Sequence, residues 1–384
     1  MFSLFGWLKN KKLNRERILA FDLLRGTFLI VIITTHIAWR PSLFTFAGGG
    51  GLLFASAAEG FFAISGILVG YLYAPRILKD TKKIFIKIWK RAALLYFLAT
   101  FFTFFYVAWA VLAGPDNIGH HVLYSREPWR FLVDTFTLRY AFGWAEFLNR
   151  YALFMLFAPF AVWLVAKGRA WIVAIVSLLV WLFLRETERF LPFSAWQLVF
   201  MCGIILGYYL PAIEEGVRSL SKKTRGVLFT VVVSAALISY AFSMYVFVIA
   251  PLMLPADSSV LQLHAQLAPL FDKNRLAPAR VAIGVLWFAA LYMVYRNYEK
   301  QISKKTHGVL EVFGRQSLFV YCLHAFILFM IDLYFRPPAQ NLILLNTIVT
   351  FAVLAIIYIL ARYRSQLTTY GKKILGNKNM TTVP

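Results

Sequence analysis

The segment Ile18–Trp39, ILAFDLLRGTFLIVIITTHIAW, is an apolar run long enough to cross a bilayer as one helix. Three ionisable side chains nevertheless lie within it, namely Asp22, Arg25 and His36. An ionised residue at the centre of a membrane helix costs roughly 2.5–3.5 kcal/mol, so such residues tend to face a protein interior or an aqueous cavity and to mark function. The segment therefore predicts a membrane helix with a functional polar face.

The three side chains share one side of this predicted helix. Arg25 and His36 are separated by about three full turns, which is a rise of about 16 Å or roughly half the hydrocarbon thickness. Asp22 lies one turn before Arg25. We expect this side to form one wall of a polar shaft, with the other walls supplied by the rest of the chain.

The whole chain has the composition of an integral membrane protein. Hydrophobic residues fill 60% of its 384 positions, charged residues only 15%, and the mean hydropathy is +0.68. The 40 lysines and arginines outnumber the 17 acidic residues, but this excess lies between the apolar segments, which is typical of membrane topology and not of nucleic-acid binding. Two cysteines, Cys202 and Cys322, suggest neither a disulfide framework nor a metal site.

Apolar segments recur ten times, so we predict an all-α, multi-pass protein folded as one bundle of about ten transmembrane helices. The predicted organisation is a basic leader (1–17), a transmembrane domain (18–362) and a basic tail (363–384). The predicted spans are 18–39, 53–73, 92–113, 147–166, 170–185, 194–213, 226–250, 279–296, 316–335 and 341–362.

Basic residues predict the orientation of these spans. Most of them lie in the leader, the tail and the even-numbered connections, so both termini should be cytoplasmic, with Arg25 toward the cytoplasm and His36 toward the outer surface. The second connection, Lys82–Arg91, is a basic amphipathic stretch. Such stretches commonly determine topology or contact anionic lipids, and this one could also receive the phosphates of coenzyme A.

Polar residues in other spans extend the predicted site. Glu59 begins the second span and should lie near the depth of His36, where a carboxylate could orient the imidazole and raise its basicity as a general base. The alternative is a pair that merely joins two helices. His324 in the ninth span is either a functional group or a hydrogen-bonded core residue. Gln197, beside Trp196, could bind a sugar hydroxyl or a neighbouring backbone group.

The chain resembles the OpgC family of glucan succinyltransferases, part of the wider acyltransferase-3 group of membrane O-acyltransferases. The resemblance rests on motifs that occur in order from residue 17 to about 335. These are Phe21–Gly26 with His36, Ala58–Gly66, Ala195–Gly203, Asp272–Lys273 with Leu276–Arg280, and Phe313–Leu318 leading to His324.

The resemblance implies an enzyme of the bacterial inner membrane that uses an acyl-CoA, succinyl-CoA or acetyl-CoA, to modify a periplasmic glucan or another oligosaccharide. It implies no permanently bound cofactor. The essential Arg and His of the wider group match Arg25 and His36. Lys87 and Lys90–Arg91 stand where that group tends to show paired arginines, and lysine lacks the bidentate fork of arginine.

Our first hypothesis is therefore an acyl-CoA-dependent O-acyltransferase. His36 acts as general base, Glu59 orients it and Arg25 holds the thioester arm. The remaining candidates are Lys87, Lys90 and Arg91 for the coenzyme phosphates, and Gln197, Trp196 and His324 for the acceptor. Direct transfer needs no serine or cysteine nucleophile, and an acyl-histidine intermediate stays open as an alternative. Expected partners are the bilayer, acyl-CoA and the glucan, with a homo-oligomer as a further option.

Two hypotheses of other classes remain. A secondary transporter of a glucan, acyl group or anion could use Asp22, Arg25, Glu59 and His36 as a proton relay. The absence of an internal repeat in the sequence counts modestly against it. A non-catalytic membrane partner that organises a glucan synthase is the third hypothesis.

The charge distribution makes the orientation testable. A reporter that is active only in the cytoplasm should be active when it is fused after Pro384, because the leader, the tail and the even-numbered connections carry most of the basic residues. A matched fusion in the connection around residue 120 should show the opposite behaviour. A periplasmic C-terminus would contradict the orientation and the placement of Arg25 and His36.

Overall fold

The computed structural model describes residues 15–37, 39–113, 127–187, 194–335 and 342–374, with side chains to residue 366. Every regular element within these residues is helical, which confirms the all-α prediction. The α-helices are α1 (Leu19–His36), α2 (Leu43–Gly48), α3 (Ala57–Ile77), α4 (Thr81–Ala113), α5 (Pro128–Phe136), α6 (Ala145–Ala166), α7 (Ala170–Leu184), α8 (Gln197–Ser219), α9 (Lys222–Met244), α10 (Ala250–Met253), α11 (Ser259–Leu267), α12 (Pro278–Asn297), α13 (Glu299–Lys305), α14 (Val309–Arg315), α15 (Ser317–Tyr334) and α16 (Ile343–Ile374).

Ten segments of the described chain are helical, long and apolar enough to cross a membrane, as predicted. They are Leu19–His36, Ala57–Ile77, Thr81–Ala113, Ala145–Ala166, Ala170–Thr187, Gln197–Ser219, Lys222–Met253, Pro278–Asn297, Ser317–Tyr334 and Ile343–Gln366. Most of the predicted leader and the end of the tail lie outside the described residues.

Two boundaries differ from the prediction. Helix α1 ends at His36 and not at Trp39, because Ile37 adopts an extended conformation. Helix α4 begins at Thr81, so the basic stretch Lys82–Arg91 is its first turns and not a loop. In these turns Ile84, Ile88 and Ala92 are buried at intervals of four residues. Lys87 and Lys90 are exposed between them, together with Ile86 and Trp89, and Lys82 and Lys83 are exposed just before them.

The chain divides into two compact units. Unit 1 contains the described residues of Met1–Arg17, Phe62–Thr230 and Phe271–Arg280. Unit 2 contains Ile18–Phe61, Val231–Leu270 and the described residues of Val281–Pro384. The predicted single transmembrane domain over 18–362 stays a prediction.

Within unit 1, α3 and α8 meet through glycines spaced four residues apart. These are Gly66 and Gly70 on α3 and Gly203 and Gly207 on α8. A methyl group added at Gly66 would collide with the carbonyl of Phe200, and one added at any of the other three would also meet the opposite backbone. Small residues at this spacing let membrane helices approach closely and gain dispersion contacts without a side chain between them.

Arg15 joins the same two helices through carbonyls that prolines leave without a helical donor. Pro75 and Pro211 have no N–H to offer the carbonyls of Tyr71 and Gly207, four residues before each. Nη1 of Arg15 donates to the carbonyl of Tyr71 at 2.6 Å and to that of Gly207 at 3.4 Å. Partial burial lowers the pKa of this guanidinium, and the carbonyls offset the lost hydration.

Within unit 2, α1 and α14 also meet backbone to backbone. A methyl group at Gly26 of α1 would collide with the backbone of Leu310, and one at Gly314 of α14 would collide with the carbonyl of Asp22. The two glycines face the opposite helix reciprocally, so neither position has room for a side chain.

The segment between α1 and α3 folds back along α1. Gly48 of α2 lies against Val31, and Gly51 lies against Thr35. The glycine turn after α2 has positive φ angles at residues 49, 50 and 51, which glycine adopts without steric cost. The guanidinium of Arg40 holds this turn to the end of α1, donating to the carbonyls of Thr35, Ile37 and Gly50.

The contact between α1 and α14 predicts a position-specific cost of a single methyl group. Gly314→Ala should lower the free energy of unfolding by about 1–3 kcal/mol, because the new methyl overlaps the Asp22 carbonyl. Gly226→Ala is the matched control, since nothing lies within 4 Å of a methyl group there. Thermal unfolding in detergent measures both, and equal stability of the two variants would contradict the packing.

The role of Arg15 predicts a coupling between it and the two prolines. Arg15→Ala should cost about 1.5–3 kcal/mol, the range for hydrogen bonds to a charged group. In a Pro75→Ala/Pro211→Ala background the destabilisation caused by Arg15→Ala should be smaller, because the alanine N–H groups can bond the carbonyls of Tyr71 and Gly207 within their helices. A double-mutant cycle by unfolding in mixed micelles measures the difference. Pro159→Ala on α6 is the control background, and equal coupling in both backgrounds would contradict this account.

Candidate active site

The polar face of α1 packs against α14 and α15. Asp22 is buried, and its carboxylate lies 3.8 Å from Nε of Arg315 on α14. His36, the last residue of α1, contacts His324 of α15. Because α1 is one uninterrupted helix, Arg25 and His36 lie about 16 Å apart along it. The ionisable residues of α1 therefore face protein, as the cost of exposing them to lipid requires.

His36 and His324 form a histidine pair. Nδ1 of His36 lies 3.2 Å from Nε2 of His324, and the two rings stack with centroids 5.5 Å apart and planes inclined by 20°. His324 is fully buried, whereas His36 is partly exposed. Nδ1 of His324 faces the carbonyl oxygen of Tyr321 on its own helix. Sequence reasoning selected both histidines separately and did not pair them, since 288 residues separate them.

Arg25 lies beside the start of α3. Its side chain is half-buried, and the guanidinium carbon is 5.3 Å from the ring centroid of Phe61, within cation–π range. Gly60 packs against the ring of Phe28. The start of α3 thus contacts the part of α1 around Arg25 and Phe28.

The sequence predicts that Glu59 lies near the depth of His36, because the second span starts on the outer side. In the structure its chain neighbours Gly60 and Phe61 contact Phe28 and Arg25. The carboxylate of Glu59 is buried and accepts hydrogen bonds from the backbone N–H of Ser56, at 2.9 Å, and from its hydroxyl. A carboxylate in the first turn also suits the helix dipole. Its pairing with His36 stays a prediction.

A cavity of about 300 Å³ lies within unit 2, on another side of α1. Thr27, Val31 and Thr35 line it at intervals of four residues, and Tyr240 and Trp287 contribute from α9 and α12. This side is about 120° around α1 from Arg25 and His36. The volume is at the lower end of the range for small-molecule sites. Glu59 also lines this cavity, whereas Arg25 and His36 are not among its lining residues, and the shaft along the ionisable face stays a prediction.

Two candidates lie at the start of α8 in unit 1, namely Gln197, its first residue, and Trp196, which precedes it. Ser177 of α7 donates to Oε1 of Gln197 at 2.7 Å, and Nε2 of Gln197 donates to the backbone carbonyl of Ser177 at 2.8 Å. The structural alternative for Gln197 is thus the one observed. Trp196 is buried, with the guanidinium carbon of Arg150 5.7 Å from its ring centroid. Binding of sugar by either residue stays a prediction.

The basic candidates on α4 also belong to unit 1. Lys87 and Lys90 are exposed, and Arg91 is half-buried. Nζ of Lys87 lies 5.6 Å from the ring centroid of Tyr73. Contact of the three with coenzyme phosphates stays a prediction. Within the described part of the chain, no group of three or more His, Cys, Asp or Glu side chains could hold a metal ion.

Comparison with known proteins gives one informative match. The family described as OpgC protein matches residues 17–369, nearly the whole chain. No curated protein and no solved structure matches the chain. The match includes α1 with Arg25 and His36 as well as α15 with His324, and it confirms the resemblance seen in the sequence motifs. The chain belongs to the OpgC family.

Proposed function

We propose that the protein transfers an acyl group, most simply succinyl, from cytosolic acyl-CoA to a hydroxyl of a periplasmic glucan. Membership of the OpgC family suggests a glucan-modifying acyltransferase. The observation that carries the chemistry is the histidine pair. An imidazole whose second nitrogen has a defined partner is a suitable general base for a hydroxyl.

In the proposed reaction His36 accepts the proton of the acceptor hydroxyl while the oxygen attacks the thioester carbonyl. A carbon–oxygen bond forms and the carbon–sulfur bond breaks, so the products are a glucan ester and free coenzyme A. The proton taken up by His36 passes to the departing thiolate. No redox partner and no metal enters this balance.

Arg25 is proposed to hold the acyl-CoA arm. Its separation of about 16 Å from His36 along α1 is comparable to the length of a pantetheine arm, so one extended substrate could contact both. Lys87, Lys90 and Arg91 are proposed to meet the phosphates as exposed or half-buried cations. This assignment goes with the proposed orientation in a bacterial inner membrane, with both termini cytoplasmic.

The direct test is coenzyme A release by the purified full-length protein, supplied with succinyl-CoA and an oligosaccharide acceptor. His36→Ala should lower turnover by about 10²–10⁴-fold, the usual contribution of a general base. Arg25→Ala should raise the concentration of acyl-CoA needed or lower turnover. His264→Ala is the matched control, because this histidine packs against Phe247 away from the pair. Mass spectrometry of the product identifies succinyl or acetyl from the added mass.

Unchanged turnover in His36→Ala would remove the base role. Flux of glucan or anion into vesicles without coenzyme A release would instead favour the transporter.

A further inference from the structure

The hydrogen bonds of the histidine pair have a direction, and that direction selects one nitrogen of His36. We propose that His324 is a positioning residue that holds His36 in the Nδ1–H tautomer, so that Nε2 of His36 is the basic nitrogen. The catalytic consequence rests on the proposed acyl transfer, whereas the tautomer itself does not.

The direction starts at the backbone. A carbonyl oxygen only accepts hydrogen bonds, so Nδ1 of His324, which faces the carbonyl of Tyr321, carries a hydrogen. Tyr321 precedes His324 by three residues on α15, and the helix itself therefore sets the tautomer of this ring.

The second step concerns the hydrogen bond between His324 and His36 of α1. A neutral imidazole with its hydrogen on Nδ1 has its lone pair on Nε2. Nε2 of His324 lies 3.2 Å from Nδ1 of His36, so Nδ1 of His36 is the donor in this bond. Neutral His36 then has its own lone pair on Nε2, the ring nitrogen farther from the backbone.

The reverse direction requires a hydrogen on both nitrogens of His324. That ring would be a cation with none of its surface exposed, and burying an ion is costly unless an opposite charge compensates it. Among the described residues no carboxylate forms an ion pair with His324, and the ring that faces it is another imidazole. The neutral, carbonyl-directed arrangement is the one that the packing supports.

The same geometry separates His324 from the acceptor-binding role considered from sequence. Both of its nitrogens are engaged, one with the backbone and one with His36, and the side chain has no exposed surface. His324 therefore acts through His36 and not on the substrate. In other sites, hydrogen-bonding partners that do not touch the substrate fix the tautomer and orientation of a functional histidine in this way.

Nitrogen-15 NMR of histidine-labelled full-length protein in lipid bilayers reads the tautomer directly. The chain has only six histidines, and the His36 signals are those lost in a His36→Gln sample. We expect a protonated Nδ1 and an unprotonated Nε2 for His36 in the wild type. His324→Leu removes the acceptor and should shift His36 toward the Nε2–H form. His324→Gln, whose amide oxygen can occupy the position of Nε2, should largely preserve the wild-type form.

Turnover of the His324 variants is the second measurement that tests the inference. His324→Leu should lower kcat on the order of 10²-fold with little change in KM for acyl-CoA, because His324 does not contact the substrate. His324→Gln should recover at least about tenfold of that loss. His264→Leu, the same substitution outside the pair, should leave kcat unchanged. A purely structural role would instead lower activity only in proportion to the amount of folded protein, with kcat per folded molecule preserved.

Two results would overturn the inference: a hydrogen on Nε2 of His36 in the wild type, or the same tautomer in the wild type and His324→Leu. Failure of the proposed function looks different. If the wild type releases no coenzyme A while the NMR shows the Nδ1–H form, the pair stands and acyl transfer does not. If turnover is normal in His324→Leu, acyl transfer stands and the positioning role does not.

Discussion

The close approach of α1 and α14 at Gly26 and Gly314 is the contact on which unit 2 depends. With no side chain between the two backbones, α14 lies near enough for Arg315 to reach Asp22. Helix α15 starts at Ser317, two residues after α14 ends, so its position follows from the same contact. A bulkier residue at either glycine would move α15 and with it the partner of His36. Close packing in apolar surroundings thus determines the geometry of the histidine pair.

The price of unsatisfied polar groups in hydrocarbon accounts for much of what surrounds this contact. Gln197 is matched by Ser177, and the carbonyls freed by two prolines are matched by Arg15. In these cases the polar groups pair with each other, and their hydrogen bonds hold helices together. The histidine pair differs because a neutral imidazole always has one donor and one acceptor nitrogen. In the proposed arrangement, two neutral rings that begin at a carbonyl end in a lone pair on His36, which can serve a chemical function as well as connect two helices.

Hydropathy and charge predicted the ten spans and the common side of Arg25 and His36, because both depend on local composition and helix periodicity. The depth of Glu59 and the pairing of His36 with His324 could not be obtained that way. The position of Glu59 depends on how the connection after α1 folds back, and Arg40 stabilises that fold by donating to the carbonyl of Gly50 in the glycine turn. The histidine pair joins segments 288 residues apart. Helix α14 was also missed, since seven residues in a connection show no membrane signal.

The interior of α1 bears on whether the protein moves protons or acyl groups. Between Arg25 and His36 the helix has no titratable side chain, over a rise of about 16 Å. Its hydroxyl groups there bond its own backbone, as Thr27 donates to Leu23 and Thr35 to Val31, and the Thr27 hydroxyl also lies 2.7 Å from that of Tyr295. A proton relay along α1 would need groups within hydrogen-bonding distance of one another, and these residues do not provide them. An extended substrate needs only its two ends to be bound, which is how the proposed acyl donor would use the spacing of Arg25 and His36.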